Sequence, residues 1–288
     1  MMVSGFAPGK LILSGEHAVV HGHLAIAVAV DRGTTVSLEH RPGPTTIASA
    51  DISDDRLQAA VSALLPADGL AVHIRTNLPV GRGMGSSAAL SVALVRAAAA
   101  LEGRTAPHDE CIERGFIAER IFHGSPSGVD HTVSTLGGGV RYRRGQPVAP
   151  FTPPPLRLVV MDSGTAGDTA EMVAGVAALP DATVRLAEIG QLTEAISAAL
   201  SEGRPPSVLG PLLTENHRLL RGIGVSTPVL DQLVEIALGA GAFGAKLAGA
   251  GGGGVAIALV ADAAPVIAAA HAHGFEAFEA TVAPPSGA

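Results

Sequence analysis

Lys10, Ser86, Ser87, Glu119 and Asp130 all stand in or close to glycine-rich segments. These residue types supply a cation, hydroxyls and carboxylates, the groups that hold phosphates and divalent ions. The central segment, Pro79-Val80-Gly81-Arg82-Gly83-Met84-Gly85-Ser86-Ser87-Ala88-Ala89, opens straight onto a helical run at 90–101. Glycines at alternate positions let the backbone turn sharply and approach a ligand. The helix start behind them presents unpaired N–H groups at the positive end of its dipole. The segment therefore reads as an anion-binding loop suited to phosphate. It contains no G-x-x-x-x-G-K-[ST], and no acidic residue follows about twenty positions after a βα unit, so it is neither of the two commonest nucleotide loops. Ser86 and Ser87 are also good N-cap residues, and one hydroxyl at that place could instead ligate Mg²⁺.

Glu119 and Asp130 are separated by a Gly-Ser-Pro-Ser-Gly turn at 124–128. Two acids around a glycine turn suit a metal and base pair. Each also has a plainer reading, Glu119 as a solvated helix acid beside Arg120 and Asp130 as a cap. Glu16 and His17 lie in a glycine-bounded turn, seven positions or fewer from Lys10, where a small polar or anionic substrate would find partners. Among nineteen basic residues only Lys10 and Lys246 are lysine, and both flank glycine-rich turns. A compact ammonium is not well replaced by a planar guanidinium, so both lysines are functional candidates. The run Lys246-Leu247-Ala248-Gly249-Ala250-Gly251-Gly252-Gly253-Gly254 reads as a flexible connection or as backbone approaching the phosphate loop. So many glycines cost entropy on folding, which a close approach would justify.

Composition narrows the class. The chain has 288 residues and a formal charge of −7, with 16% charged residues. That length suits two compact lobes, and the acidity argues against a nucleic-acid surface. Cys111 is the only cysteine, so no internal disulfide forms. No apolar run reaches the roughly 20 residues a membrane span needs, and no basic region precedes an apolar one at the N-terminus, so a cytoplasmic protein is expected. Weakly charged apolar helices leave room for a homodimer.

The elements that must position these residues follow from periodicity. Strands are expected at 10–14, 25–30, 34–40, 71–76, 140–143 and 156–161, with a break at 42–44. Helices are expected at 87–101 and 108–123, with a turn at 124–130. The proline-rich stretch 149–155 marks a boundary between domains at 1–150 and 151–288. Beyond it come three helical stretches over 168–240, then strand, helix and a last strand at 275–282. The class is α/β or α+β.

In order and spacing, three glycine-rich segments are similar to the motif set of the GHMP kinase superfamily, and the first, 7–22, resembles its mevalonate kinase branch. Residues 79–89 resemble the superfamily's phosphate loop and 246–254 its third motif. The segment 124–130, with Glu119 upstream, resembles the one bearing the catalytic aspartate. The resemblance implies an N-terminal lobe of the ribosomal protein S5 domain 2 type and a ferredoxin-like C-terminal lobe. It implies an ATP- and Mg²⁺-dependent kinase acting on the primary hydroxyl of mevalonate, in isoprenoid biosynthesis. Carried over, Pro79, Gly81, Gly83, Gly85, Ser86, Ser87 and Ala88 would bind nucleotide, and Ser87 and Glu119 would hold Mg²⁺. Asp130 would take the substrate proton, with Lys10 stabilising the alkoxide. Glu16, His17, Ser163 and Thr165 would face the substrate, while Gly249, Gly251 and Gly252 would support the loop. Another small hydroxy-compound as acceptor, or a nucleotide sensor without turnover, are the alternative readings. Few aromatic residues leave the adenine pocket without an obvious stacking partner.

Overall fold

The computed structural model describes residues 1–49, 55–124 and 128–286. Its first half is built on a sheet in the order β3-β4-β2-β5-β6, with β1 paired to β2 off that path. Strand β1 (Met2–Ser14) runs antiparallel to the long β2 (Leu24–Pro44), after a single 3₁₀ turn at Ala18–His21. The expected strands at 25–30 and 34–40 are thus one element. It continues through the expected break because the register to β4 slips between His40 and Pro44, which takes Pro42 out of the ladder before pairing resumes at Pro44 with Asp68. Strands β3 (Thr46–Ser49) and β4 (Asp68–Thr76) are parallel neighbours. Strand β5 (Gly139–Arg143) pairs with β2 and with β6 (Ala149–Phe151). The short β6 lies inside the proline-rich stretch, with Pro150 on a sheet edge.

Four helices cover this sheet: α1 (Asp55–Leu64), α2 (Ser86–Leu101), α3 (His108–His123) and α4 (Val129–Leu136). Val36, Leu38, Val72 and Ile74 of the sheet pack with Leu57, Val61, Leu90 and Leu94 of the helices. Helix α2 is buried on nearly all sides, which its Ala-rich sequence allows. Periodicity did not single out β3, α1 or α4. The segment expected to be a turn at 124–130 enters α4 at Val129, so Asp130 sits in a first helical turn behind Gly128. Residues 125–127 of that segment lie outside the described residues.

The second half is a βαββαβ arrangement. Strands β7 (Arg157–Asp162), β8 (Gly244–Ala248), β9 (Val255–Leu259) and β10 (Ala277–Thr281) form an antiparallel sheet in the order β10-β7-β9-β8. This is the ferredoxin-like order. The first crossover carries four helices where three were expected: α5 (Thr169–Ala177), α6 (Ala182–Ser201), α7 (Pro206–Gly222) and α8 (Pro228–Gly239). Helix α6 ends ahead of left-handed Gly203, and Pro206 starts α7 as its first residue. Helix α9 (Ala264–Ala272) closes the unit.

The halves share a core. Leu11, Ile26 and Val28 of the first sheet cluster with Leu158, Val160 and Ile257 of the second and with Ile196 and Leu213 of α6 and α7. After β10 the chain returns to the first half, where Val282 bridges Val30 and Ser286 N donates to Leu136 O. Among the described residues no helix is long and apolar enough to cross a membrane.

Candidate active site

The loop between β4 and α2 turns on Gly81, Gly83 and Gly85, whose φ values of 71°, 81° and 71° lie in the left-handed region. Buried Met84 anchors it, and its carbonyl accepts from Lys10 N at 2.9 Å, tying the loop to β1. The N-cap of α2 is Gly85, with no side-chain cap. The serine N-cap reading therefore does not apply. The first intrahelical bond is Ala89 N to Gly85 O, so the amides of Ser86, Ser87 and Ala88 precede the ladder, the position from which a helix start can receive an anion. A Cβ on Gly85 would come within 2.8 Å of Lys10 Cγ, so only glycine lets the lysine stem cross the loop here.

Lys10 Nζ lies 3.1 Å from Asp130 Oδ2; Lys10 is buried and the aspartate side chain 35% exposed. Asp130 in the first turn of α4 also has the helix N-terminus favouring its charge. Glu119 is buried on α3, and its Oε1 has no hydrogen-bond partner. Burial, and then the charge of Asp130, push its pKa up to about 7, against a smaller lowering by Ser87 and Lys10. Ser87 Oγ lies 2.9 Å from His123 Nε2, which is itself 4.0 Å from Glu119 Oε2. His123 escaped the sequence reading, although its place four residues after Glu119 puts it on the same helix face.

A divalent cation fits this cluster. An orphaned buried carboxylate oxygen, held against a second carboxylate and a hydroxyl, is a hard-oxygen site short of a positive charge. Among the described residues no three His, Cys, Asp or Glu side chains gather into a cage. Mg²⁺ suits such a site, because it takes one or two carboxylates and completes its shell from phosphate and water.

Glu16 and His17 point to different places. The Glu16 carboxylate is paired with Lys246 Nζ in the interior, with both side chains essentially inaccessible. His17 has φ 61°, and its Nε2 lies 2.7 Å from Ala250 O. A carbonyl only accepts, so Nε2 carries the proton and Nδ1 the lone pair. Burial lowers the pKa of His17 and keeps the ring neutral. Ser163 and Thr165 lie in the turn after β7, with Ser163 Oγ 3.2 Å from Thr165 O. That turn is stitched to the third glycine segment by Ser163 N to Gly254 O and Gly254 N to Thr165 O. Gly249 faces Gly83, whereas Gly252 lies against Met172 and a Cβ on Gly251 would come within 2.0 Å of Val225 O. The third segment therefore meets the phosphate loop at both ends, through Gly249 and Gly254, and the second lobe through its middle glycines.

The profile of the GHMP kinases N terminal domain matches residues 55–138, and that of the GHMP kinases C terminal domain matches 188–279. The chain belongs to the GHMP kinases. As a kinase of this family it uses ATP. Among the relatives of this GHMP kinase, the mevalonate kinase of Thermococcus gammatolerans is 35% identical, over 94% of this chain and 92% of its own. That of Methanothermobacter thermautotrophicus is 36% identical, over 87% and 88%. A crystal structure of L. major mevalonate kinase in complex with R-mevalonate superposes with a TM-score of 0.88 at 31% identity, covering 98% of this chain and 96% of that one.

Proposed function

We propose that this GHMP kinase phosphorylates the primary hydroxyl of mevalonate, giving 5-phosphomevalonate and ADP, in a Mg²⁺-dependent reaction in the cytoplasm. The observation that carries the reading is the Lys10–Asp130 pair set at the mouth of the α2 phosphate loop. Its support is the kinship with mevalonate kinases over nearly the whole chain. Residues 1–150 and 151–288 are taken as two lobes between which the substrates meet.

Phosphoryl transfer needs alignment and charge neutralisation more than covalent help. The amides of Ser86, Ser87 and Ala88 hold the triphosphate, with the left-handed glycines letting the backbone wrap it. Asp130 Oδ2 accepts the hydroxyl proton as the substrate oxygen bonds to the γ-phosphorus and the bond from phosphorus to the bridging oxygen of ADP breaks. Lys10, 3.1 Å from Asp130, stabilises the developing alkoxide. Ser87 and Glu119 would hold Mg²⁺, which neutralises phosphate charge when bound. On the acceptor side His17 offers Nδ1 to a substrate hydroxyl and Ser163 and Thr165 offer their hydroxyls, while Glu16 is held in the interior by Lys246.

Release of ADP from MgATP, compared across mevalonate, phosphomevalonate, homoserine and galactose, tests the assignment. Phosphorus NMR identifies the product. Turnover with mevalonate yielding the 5-phosphate is expected; turnover confined to another acceptor would keep the kinase and discard mevalonate.

A further inference from the structure

Arg82 is a phosphate-loop residue for which the proposed mechanism has no use. Its side chain reaches across to the second lobe. Nε lies 3.1 Å from both carboxylate oxygens of Asp162, and Nη2 donates to Gly164 O at 3.0 Å. Asp162 Oδ1 in turn accepts from Gly164 N at 2.8 Å. Asp162 ends β7, and Gly164 stands between Ser163 and Thr165. One guanidinium thus joins the loop that would hold ATP to the turn that would face the acceptor.

The side chains are 23% and 18% exposed, so solvent screens them less than a surface pair. The planar fork of arginine addresses a carboxylate and a carbonyl at once, which an ammonium does not do. The main chain is already close: a Cβ on Gly254 would lie 3.0 Å from Arg82 O. A loop with three left-handed glycines has much backbone freedom to lose when it closes on a nucleotide. Anchoring its middle to the opposite lobe removes part of that loss in advance.

We propose that Arg82 and Asp162 form a positioning latch that holds the phosphate loop against the 162–165 turn and couples nucleotide affinity to acceptor placement. The acceptor half rests on the function proposed above; the nucleotide half rests only on the chain being a GHMP kinase.

The full-length protein and its Arg82→Ala, Asp162→Ala and doubly substituted forms are compared for MgADP affinity by calorimetry, for both KM values and kcat, and for Tm. Each single substitution is expected to raise the MgADP Kd and the MgATP KM about tenfold, the scale of losing a hydrogen-bonded charge. The double substitution is expected to be no worse than either single one. Arg82→Lys recovers part of the loss, since it meets Asp162 but not Gly164 as well. Exchanging the charges, Arg82→Asp with Asp162→Arg, improves on either reversal alone. A Kd raised by Arg82→Ala but unchanged or lowered by Asp162→Ala would put the guanidinium on the nucleotide itself and overturn the latch. Additive losses, or a lowered Tm with unchanged Kd, would overturn it too. ADP binding is read without an acceptor, so inactivity towards mevalonate would count against the substrate assignment alone.

Discussion

The only two lysines of the chain both pair with a carboxylate, in opposite settings. Lys10 meets Asp130 at the open end of the phosphate loop, where the aspartate is 35% exposed. Lys246 meets Glu16 where neither side chain reaches solvent. The first carboxylate is open to a bound molecule. The second is sealed, and its Oε2 lacks even a hydrogen-bond partner. Similar residue types beside similar glycine turns are therefore placed for chemistry in the function proposed above in one case and for architecture in the other, and what separates them is access. The buried pair joins the turn after β1 to β8, so it specifies how the lobes meet at a cost in desolvation.

The largest expected effect separates the two pairs by activity. Asp130→Asn should lower kcat about 10³-fold, the scale of losing a general base, with MgADP binding retained in a fluorescence titration. An unimpaired variant would break the contrast, because the exposed pair would then be no more chemical than the buried one. Lys246→Met should instead act on folding. It leaves Glu16 charged and unpaired inside, costing about 3–5 kcal/mol in urea denaturation. Adding Glu16→Leu should recover most of that stability, whereas no apolar replacement of Lys10 with Asp130 should recover turnover.

Glu119 sharpens the comparison as a buried carboxylate with no lysine of its own. Its folded pKa of about 7 lies above the ordinary 4.5, so across that interval the folded protein binds more protons than the unfolded one. Its contribution to stability is therefore greatest below pH 4.5 and lost as pH rises through 7. In EDTA, Tm of the wild type should fall across this window more steeply than Tm of Glu119→Gln. Mg²⁺ should reduce the wild-type slope and stabilise more at high pH than at low pH. Equal slopes for the two proteins would remove Glu119 from the proposed metal site.

Much of this was legible in the chain. The helices behind the phosphate loop and at 108–123 were legible, but of the second lobe the alternation of elements showed one strand where β8 and β9 are two, because the glycine run between them hides where one ends and the next begins. The glycine segments announced themselves because left-handed backbone and close approach both demand a residue without a Cβ. Helix α4 was less legible, because its eight residues make barely two turns and follow directly on Gly128. The single strand β2 was read as two, since its ladder partners change along its length. Arg82 gave little local signal, since it acquires Asp162 from an element distant in sequence, and so did the meeting of His123 with Ser87, although Glu119 stands one turn before His123 on α3.

The sequence by itself determined which residues could bind phosphate, supply a carboxylate or turn tightly, because those properties belong to side chains and to φ. Only the tertiary structure decided which carboxylate each lysine meets, which of the two pairs is sealed from water, and that Glu119 is left without a lysine. Those outcomes depend on distance and burial across elements far apart in the chain, and both are set by packing.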